Sequence, residues 1–390
     1  MMGDLVPARS IAPGRIVERE LEARGWTQKD LAQIMRRPGQ AINEIVRGSK
    51  QITPETAVEL AAAFGTSAEF WTNLEANYRL SLAKKEQDHK SESRDITRRS
   101  ALYSIAPIAE LMKHGWIRGS SDVNELEREV CAFLRVDNPA AMPARLQTYK
   151  FRHTQTREPA LHAQYAWLMR VRQLVEAQRI PPFRLAAAKR VVDDILLLAE
   201  NARDVEDVPS VLLEAGVHLA VVPHLQKTYL DGAAFYFTDR PVIALTLRHD
   251  RLDSFWFTLM HEMAHVVLQH VKPGISEDGD VFFDDLDTVG KDESQEAIQE
   301  VEANNQASEW LLSSTAVTSF VERCGPNPSV AAIQTFARQQ RRHPSIVLGR
   351  LQHREIVDYA HHRTLVTKVR PLLRTWIDST KAEQMTGAEP

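Results

Sequence analysis

His261 and His265 stand four residues apart with Glu262 beside the first, in a segment whose flanks are almost wholly apolar. No other feature of the chain is as constraining. On a helix, residues four apart lie one turn apart on the same face, so two imidazoles can converge on one ion. Zinc favours nitrogen donors in a tetrahedral site, and a catalytic site keeps one position open for water. Glu262, next to the first histidine, is then placed to take a proton from that water as general base. Phe255, Phe257, Leu259 and Met260 before the pattern, and Val266, Val267 and Leu268 after it, read as a buried helix. Taken alone, the five residues also fit an amphipathic helix carrying two surface histidines.

A zinc site needs a third protein donor. The extended pattern HExxHxxGxxH is absent: Leu268 and Val271 occupy its glycine and histidine positions, and His270 is one residue out of register. The donor is therefore expected from a later segment. Ala303, Ala307, Trp310 and Leu311 recur on one face of a helical pattern that opens near Gln299, and Glu302 lies at its edge. Glu302 is the expected third ligand, giving a His-His-Glu site, with Glu300 and Glu309 as rivals. Residues 272–296, between motif and ligand, are acidic with one apolar knot, Val281-Phe282-Phe283. They read as a solvated excursion or as a flap over the cleft. His343, before Pro344, reads as a turn or cap residue or as a catalytic group that polarises a carbonyl.

The N-terminal part has a different grammar. Thr27 caps a short helical pattern, Met35-Arg36-Arg37-Pro38-Gly39 breaks it, and a second short helix runs from Gln40 to Gly48. Thr53-Pro54 opens another. Ile42, Ile45 and Val46 point inward by period, which leaves Gln40, Asn43, Glu44 and Arg47 outside. This is the pattern of a helix-turn-helix whose second helix enters the major groove of double-stranded DNA. Gln28, Gln40, Asn43, Glu44 and Arg47 are candidates for base contacts, and Arg36, Arg37, Arg47 and Lys50 for phosphates. Phe70, Trp71, Leu74, Tyr78 and Leu82 form a later apolar stripe, read as core or as a dimer surface suited to palindromic operators.

Composition sets the limits. The 390 residues allow two or three domains, and 43% hydrophobic with 26% charged residues is an ordinary globular balance. A net charge of -4 excludes a global polycation, so any DNA contact must be local. Cys131 and Cys324 are too few and too far apart for a thiolate zinc site or a disulfide framework. The first fifteen residues lack a signal-peptide apolar region, and no run of about 18 apolar residues exists. A cytoplasmic location with no membrane partner is the expectation.

The expected organisation is an arm at 1–13, a helix-turn-helix domain at 14–86, a linker at 87–100, a helical middle region at 101–207, a peptidase-like domain at 208–370 and a tail at 371–390. Short β-branched segments at 216–222, 233–237 and 241–247 predict a small sheet in the last domain. The fold class is mainly α with a smaller α+β domain: a five-helix N-terminal unit, a helical middle, and a zincin-like end carrying the HExxH helix.

Two resemblances follow from these residues. The strings WTQKDLAQIM and INEIVRGSKQITPETAVELAAAFGTSAEFWTNLEANYRL are similar to the Cro/C1-type (Xre) helix-turn-helix of HigA-like antitoxins. Asp231-Gly232-Ala233-Ala234-Phe235, the stretch from Phe255 to His265, Glu302-Ala303-Asn304 with Leu311-Leu312, and His343 to Leu351 resemble the ImmA/IrrE metallo-endopeptidases over roughly 205–355. There the resemblance implies zinc on two histidines and a downstream glutamate, a catalytic HExxH glutamate, and a regulatory protein as substrate. It departs where Gln306-Ala307 and Ser313 replace the usual Phe-Ala and closing Pro. Together the two imply a DNA-binding transcriptional regulator fused to a zinc endopeptidase that cuts a repressor, another regulator or itself, with a toxin as a further expected partner and a homodimer as the expected assembly. The alternative is an antitoxin-like repressor whose peptidase-like domain only senses or scaffolds.

Overall fold

The computed structural model describes residues 11–88, 91–148, 160–272, 282–284 and 295–378. It divides into two units, residues 1–98 and 99–390.

Local chemistry sets the helix ends of the first unit. Pro13 occupies the first turn of α1 (Pro13–Arg24), and Gly25 closes it at φ +68°. Thr27 and Asp30 form a reciprocal capping box that starts α2 (Gln28–Ile34). After a turn comes α3 (Gly39–Val46), and Thr53 caps α4 (Pro54–Phe64). α5 (Ala68–Asp88) follows, and α6 (Ser91–Ile105) contains the boundary at residues 98 and 99. Val17, Leu21, Leu31, Met35, Ile42, Ile45, Leu60, Phe64 and Trp71 share one core. A Cβ on Gly14 would meet the Val46 carbonyl oxygen at 2.1 Å, so α1 and α3 touch backbone to side-chain position. The apolar stripe of α5 is split: Trp71 is fully buried, with its indole N–H donating to Thr66 Oγ1 at 2.8 Å, whereas Phe70 is exposed. The stretch 87–100, expected as a linker, is helical over Ser91–Ile105, and residues 89–90 lie outside those described.

The second unit is built around a sheet in the order β1-β3-β2-β4. β1 (His218–Val221) runs parallel to β3 (Arg240–Leu245); β2 (Gly232–Phe237) pairs antiparallel with β3 and with β4 (Phe282–Asp284). Side chains alternate along the strands. Leu219, Val221, Ile243 and Leu245 join a core with α11 (Ala188–Leu197), α12 (Val208–Glu214), α13 (Leu252–Val267) and the later helices. Ala220, Val222, Ala233, Phe235, Val242 and Ala244 join a second core with α7 (Ile108–Lys113), α8 (Val123–Leu134) and α10 (Leu161–Ala177). Burial on both faces is why these strands are apolar at consecutive positions. α9 (Met142–Thr148) contributes Met142 to the same core.

The middle helices therefore cover one face of the sheet, rather than standing apart from it. Trp167, fully buried on α10, donates to the Val222 carbonyl at 3.3 Å. The far face is closed by α14 (Gln295–Leu311), α15 (Ser314–Cys324), α16 (Val330–Gln340) and α17 (Pro344–His353). The segment expected to be a tail from 371 is integral as far as Asp378. Leu373 is fully buried, Ile377 bridges Val221, and Asp378 pairs with Arg170 at 2.7 Å. No helix among the described residues is long and apolar enough to cross a membrane.

Candidate metal centre and helix-turn-helix face

α13 lies against β2 and β3 on one side and α14 on another. Leu252, Trp256, Leu259, Met260 and Met263 anchor it in the core, which fixes the phase of the residues between them. That phase carries His261, Glu262 and His265 to positions with no solvent exposure. Ionisable groups at such depth are paired or hold metals.

The three donors converge. His261 Nε2 and His265 Nε2 are 3.0 Å apart, and the Glu300 carboxylate lies 3.3 Å from the first and 3.6 Å from the second. A tetrahedral zinc ion with ligands at about 2.05 Å has donors separated by about 3.3 Å. The observed spacing and the nitrogen–nitrogen–carboxylate chemistry fit such an ion. Among the described residues these three form the cluster able to hold a metal.

The third member is Glu300, one of the two rivals, and not Glu302. Ala303 and Ala307 are fully buried in the face of α14 that meets the core. Glu300 precedes them by three and seven residues and so shares their stripe. Glu302 is turned about 200° from Glu300 around the helix. Its carboxylate instead meets His270 Nε2 at 3.1 Å.

Glu262 rests against β2. A Cβ on Gly232 would sit 2.1 Å from Glu262 Oε1 and 2.8 Å from Thr258 Cγ2. The carboxylate therefore occupies the space that any larger residue at 232 would fill, a role no sequence pattern had assigned to this glycine. A pocket of about 380 Å³ is lined among others by Asp231, Phe257, Ser308, Arg350, His353 and Thr258, the last being the residue whose methyl also faces Gly232. Arg350 donates to Ser308 Oγ at 2.7 Å, and burial holds its pKa below the usual guanidinium value.

His343 is used elsewhere. It caps α17, its Nδ1 accepting the Ser345 N–H at 3.1 Å while its own N–H donates to the Ala199 carbonyl at 2.7 Å. Burial lowers its pKa, favouring the neutral ring that capping needs. The structure shows the capping role of this residue. The acidic stretch expected as a flap lies outside the described residues, apart from Lys272, the Phe282–Asp284 strand and the start of α14.

In the N-terminal unit, Ala41, Ile42, Ile45 and Val46 bury one face of α3. Gln40 and Arg47 are exposed on the other side, Asn43 and Glu44 half-exposed, and Lys50 exposed just beyond. Gln40 donates to Glu44 Oε1 at 3.0 Å, one turn along. Gln28 opens α2, and Arg36 lies in the turn at φ +51°. Arg37 differs from its neighbours: its guanidinium forms a two-pronged pair with Glu59 of α4, which raises its pKa. That pair ties the turn to α4 and occupies donors that had been expected to face phosphates.

The helix-turn-helix family matches residues 17–71, and the family described as the IrrE N-terminal-like domain of the M78 peptidases matches residues 221–323. Virulence-associated protein I of Dichelobacter nodosus is 39% identical over 83 residues, covering 21% of this chain and 75% of that protein. The uncharacterised HTH-type transcriptional regulator YddM of Escherichia coli is 27% identical over 85 residues, covering 22% of this chain and 90% of that protein. Among solved structures, an addiction module antidote protein of the HigA family from Coxiella burnetii is 36% identical, covering 22% of this chain and 94% of its own, with a TM-score of 0.21. The Pseudomonas aeruginosa antitoxin HigA with its promoter is 33% identical, covering 21% and 95%, with a TM-score of 0.20. Through residues 17–71 the chain belongs to the Xre-type helix-turn-helix family, and it carries that unit in one polypeptide with an IrrE-like domain of the M78 peptidase family.

Proposed function

We propose that this protein is an operator-binding transcriptional regulator whose second unit is a zinc-dependent endopeptidase acting on a regulatory protein. The reading rests on one observation above others: His261, His265 and Glu300 present three donors at tetrahedral spacing, with the Glu262 carboxylate seated beside them against Gly232. A zinc ion held there supplies Lewis-acid polarisation and makes water more acidic. Glu262 takes the proton from the attacking water and delivers it to the leaving amide nitrogen, and the buried setting keeps its carboxylate oriented by packing. The neighbouring pocket, apolar with a few charged groups, accepts a side chain of an extended peptide. On the N-terminal unit, Gln28, Gln40, Asn43, Glu44 and Arg47 are the proposed base-reading group, with Arg36 and Lys50 on phosphates. Exposed Phe70 is the proposed centre of a homodimer contact that would match a palindromic operator.

Metal analysis combined with proteolysis by wild type and Glu262→Gln tests the peptidase. Both proteins should carry one equivalent of zinc, and the variant should lose cleavage by roughly 10²–10⁴-fold. Equal cleavage by both would remove Glu262 as the base; a protein that binds no zinc would remove the metal centre.

A further inference from the structure

We infer that His270 and Glu302 form a hydrogen-bonded relay that positions the His265 ring and fixes its tautomer in the metal centre. The inference rests on the zinc reading above. α13 ends at Val267, and Gln269 adopts φ +60°, turning the chain back on itself. The N–H groups of His270 and Val271 then reach the His265 carbonyl at 2.9 and 3.4 Å. This fold-back lays the two rings together, with Nδ1 to Nδ1 at 3.1 Å. The opposite nitrogen of His270 meets Glu302 Oε2 at 3.1 Å. The His270 side chain is 6% exposed and that of Glu302 is 56% exposed, so the relay runs from solvent to a fully buried ligand.

The donor order follows from its outer end. The Glu302 carboxylate oxygen is the acceptor, so His270 carries its hydrogen on Nε2. In that tautomer His270 accepts at Nδ1, and His265 donates from its own Nδ1. The lone pair of His265 is left on Nε2, the atom that faces His261 and Glu300. An exposed carboxylate thus imposes on a buried imidazole the tautomer that a metal ligand requires. Histidine ligands of metals are commonly held this way, through a hydrogen bond on the nitrogen remote from the ion. His270 and Glu302 are positioning residues here, neither touching the ion nor the substrate.

Full-length wild type and the variants Glu302→Ala, Glu302→Gln and His270→Ala, each stripped of metal, would be titrated with zinc against a chromophoric chelator. His270→Ala should weaken zinc binding by roughly 10–100-fold, and Glu302→Ala by a smaller factor, about threefold to tenfold. Glu302→Gln should retain more affinity than Glu302→Ala, because an amide oxygen still accepts from His270 Nε2. The metal-free melting temperature of the Glu302 variants should match wild type, since the side chain is largely in solvent. If His270→Ala does not fold, the Glu302 pair decides. Unchanged zinc affinity in the Glu302 variants would overturn the relay while leaving the metal centre intact; a wild type that takes up no zinc would overturn the metal reading itself.

Discussion

The two units carry their chemistry in opposite ways. On α3 the candidate DNA-reading side chains are exposed or half-exposed, lie within a few residues of each other, and face away from the core. In the second unit His261, Glu262 and His265 have no solvent exposure, and their partner Glu300 comes from another helix. A surface site needs only a helix with a correct apolar face. A buried site needs two helices in a fixed mutual phase, because a rotation of one residue on α14 moves a carboxylate by about 100°.

The sharpest test of this contrast sets Glu300 against Glu302. Glu300→Gln should reduce zinc affinity by more than about 100-fold, beyond the range of changes made outside the ligand set. If Glu302→Gln proved the more damaging of the two, the helix phase described here would be wrong. Next in size is Gly232→Ala. The added methyl meets Glu262 Oε1, so turnover should fall by about 10²-fold, as for a misplaced catalytic group, while zinc content is retained. Normal turnover would show that Glu262 has room to move.

In the N-terminal unit the contrast lies between two arginines. Arg47→Ala should weaken operator binding and lower the salt slope by about 1, as loss of one phosphate contact does. Arg37→Ala should instead lower stability by roughly 0.5 kcal/mol through its pair with Glu59 and leave the salt slope nearly unchanged. A reversed pattern would return Arg37 to the DNA face.

The smallest expected effect concerns acid. His218 is buried, with Nδ1 at 2.9 Å from Gln178 Oε1; desolvation, then the Arg240 charge, pulls its pKa from the ordinary 6.5 down to about 4. Between these values the unfolded chain takes up a proton that the folded chain refuses. Stability from this group is complete above about pH 6.5 and declines as the pH falls toward 4. His218 lies in the second unit, so this part of the decline belongs to that unit. Denaturant melts of wild type and His218→Gln at pH 7 and pH 5 check this, the variant showing the shallower slope.

How much was legible depended on distance along the chain. The HExxH helix, the caps at Thr27 and Thr53 and the inward set Ile42, Ile45 and Val46 are short-range patterns, and the structure places them where periodicity does. The choice of Glu302 failed because edge position on a helix was judged without the facing helix. The linker expectation for 87–100 took polarity as a sign of irregular backbone, although charged residues suit an exposed helix such as α6. The tail expectation missed Leu373, buried in the core shared by the sheet and the later helices, and Ile377, which bridges Val221 from 156 residues further along the chain.

By itself the sequence determined the two helix-turn-helix segments and the paired imidazoles with their adjacent carboxylate, each written in a period of about 3.6 residues, and the existence of a small sheet from its short β-branched runs. Only the tertiary structure decided which glutamate lies with His261 and His265, that the middle helices cover the sheet, and that His270 backs His265. Those outcomes depend on the packing of distant elements, and side-chain spacing along one element carries no information about the rotation of its neighbour.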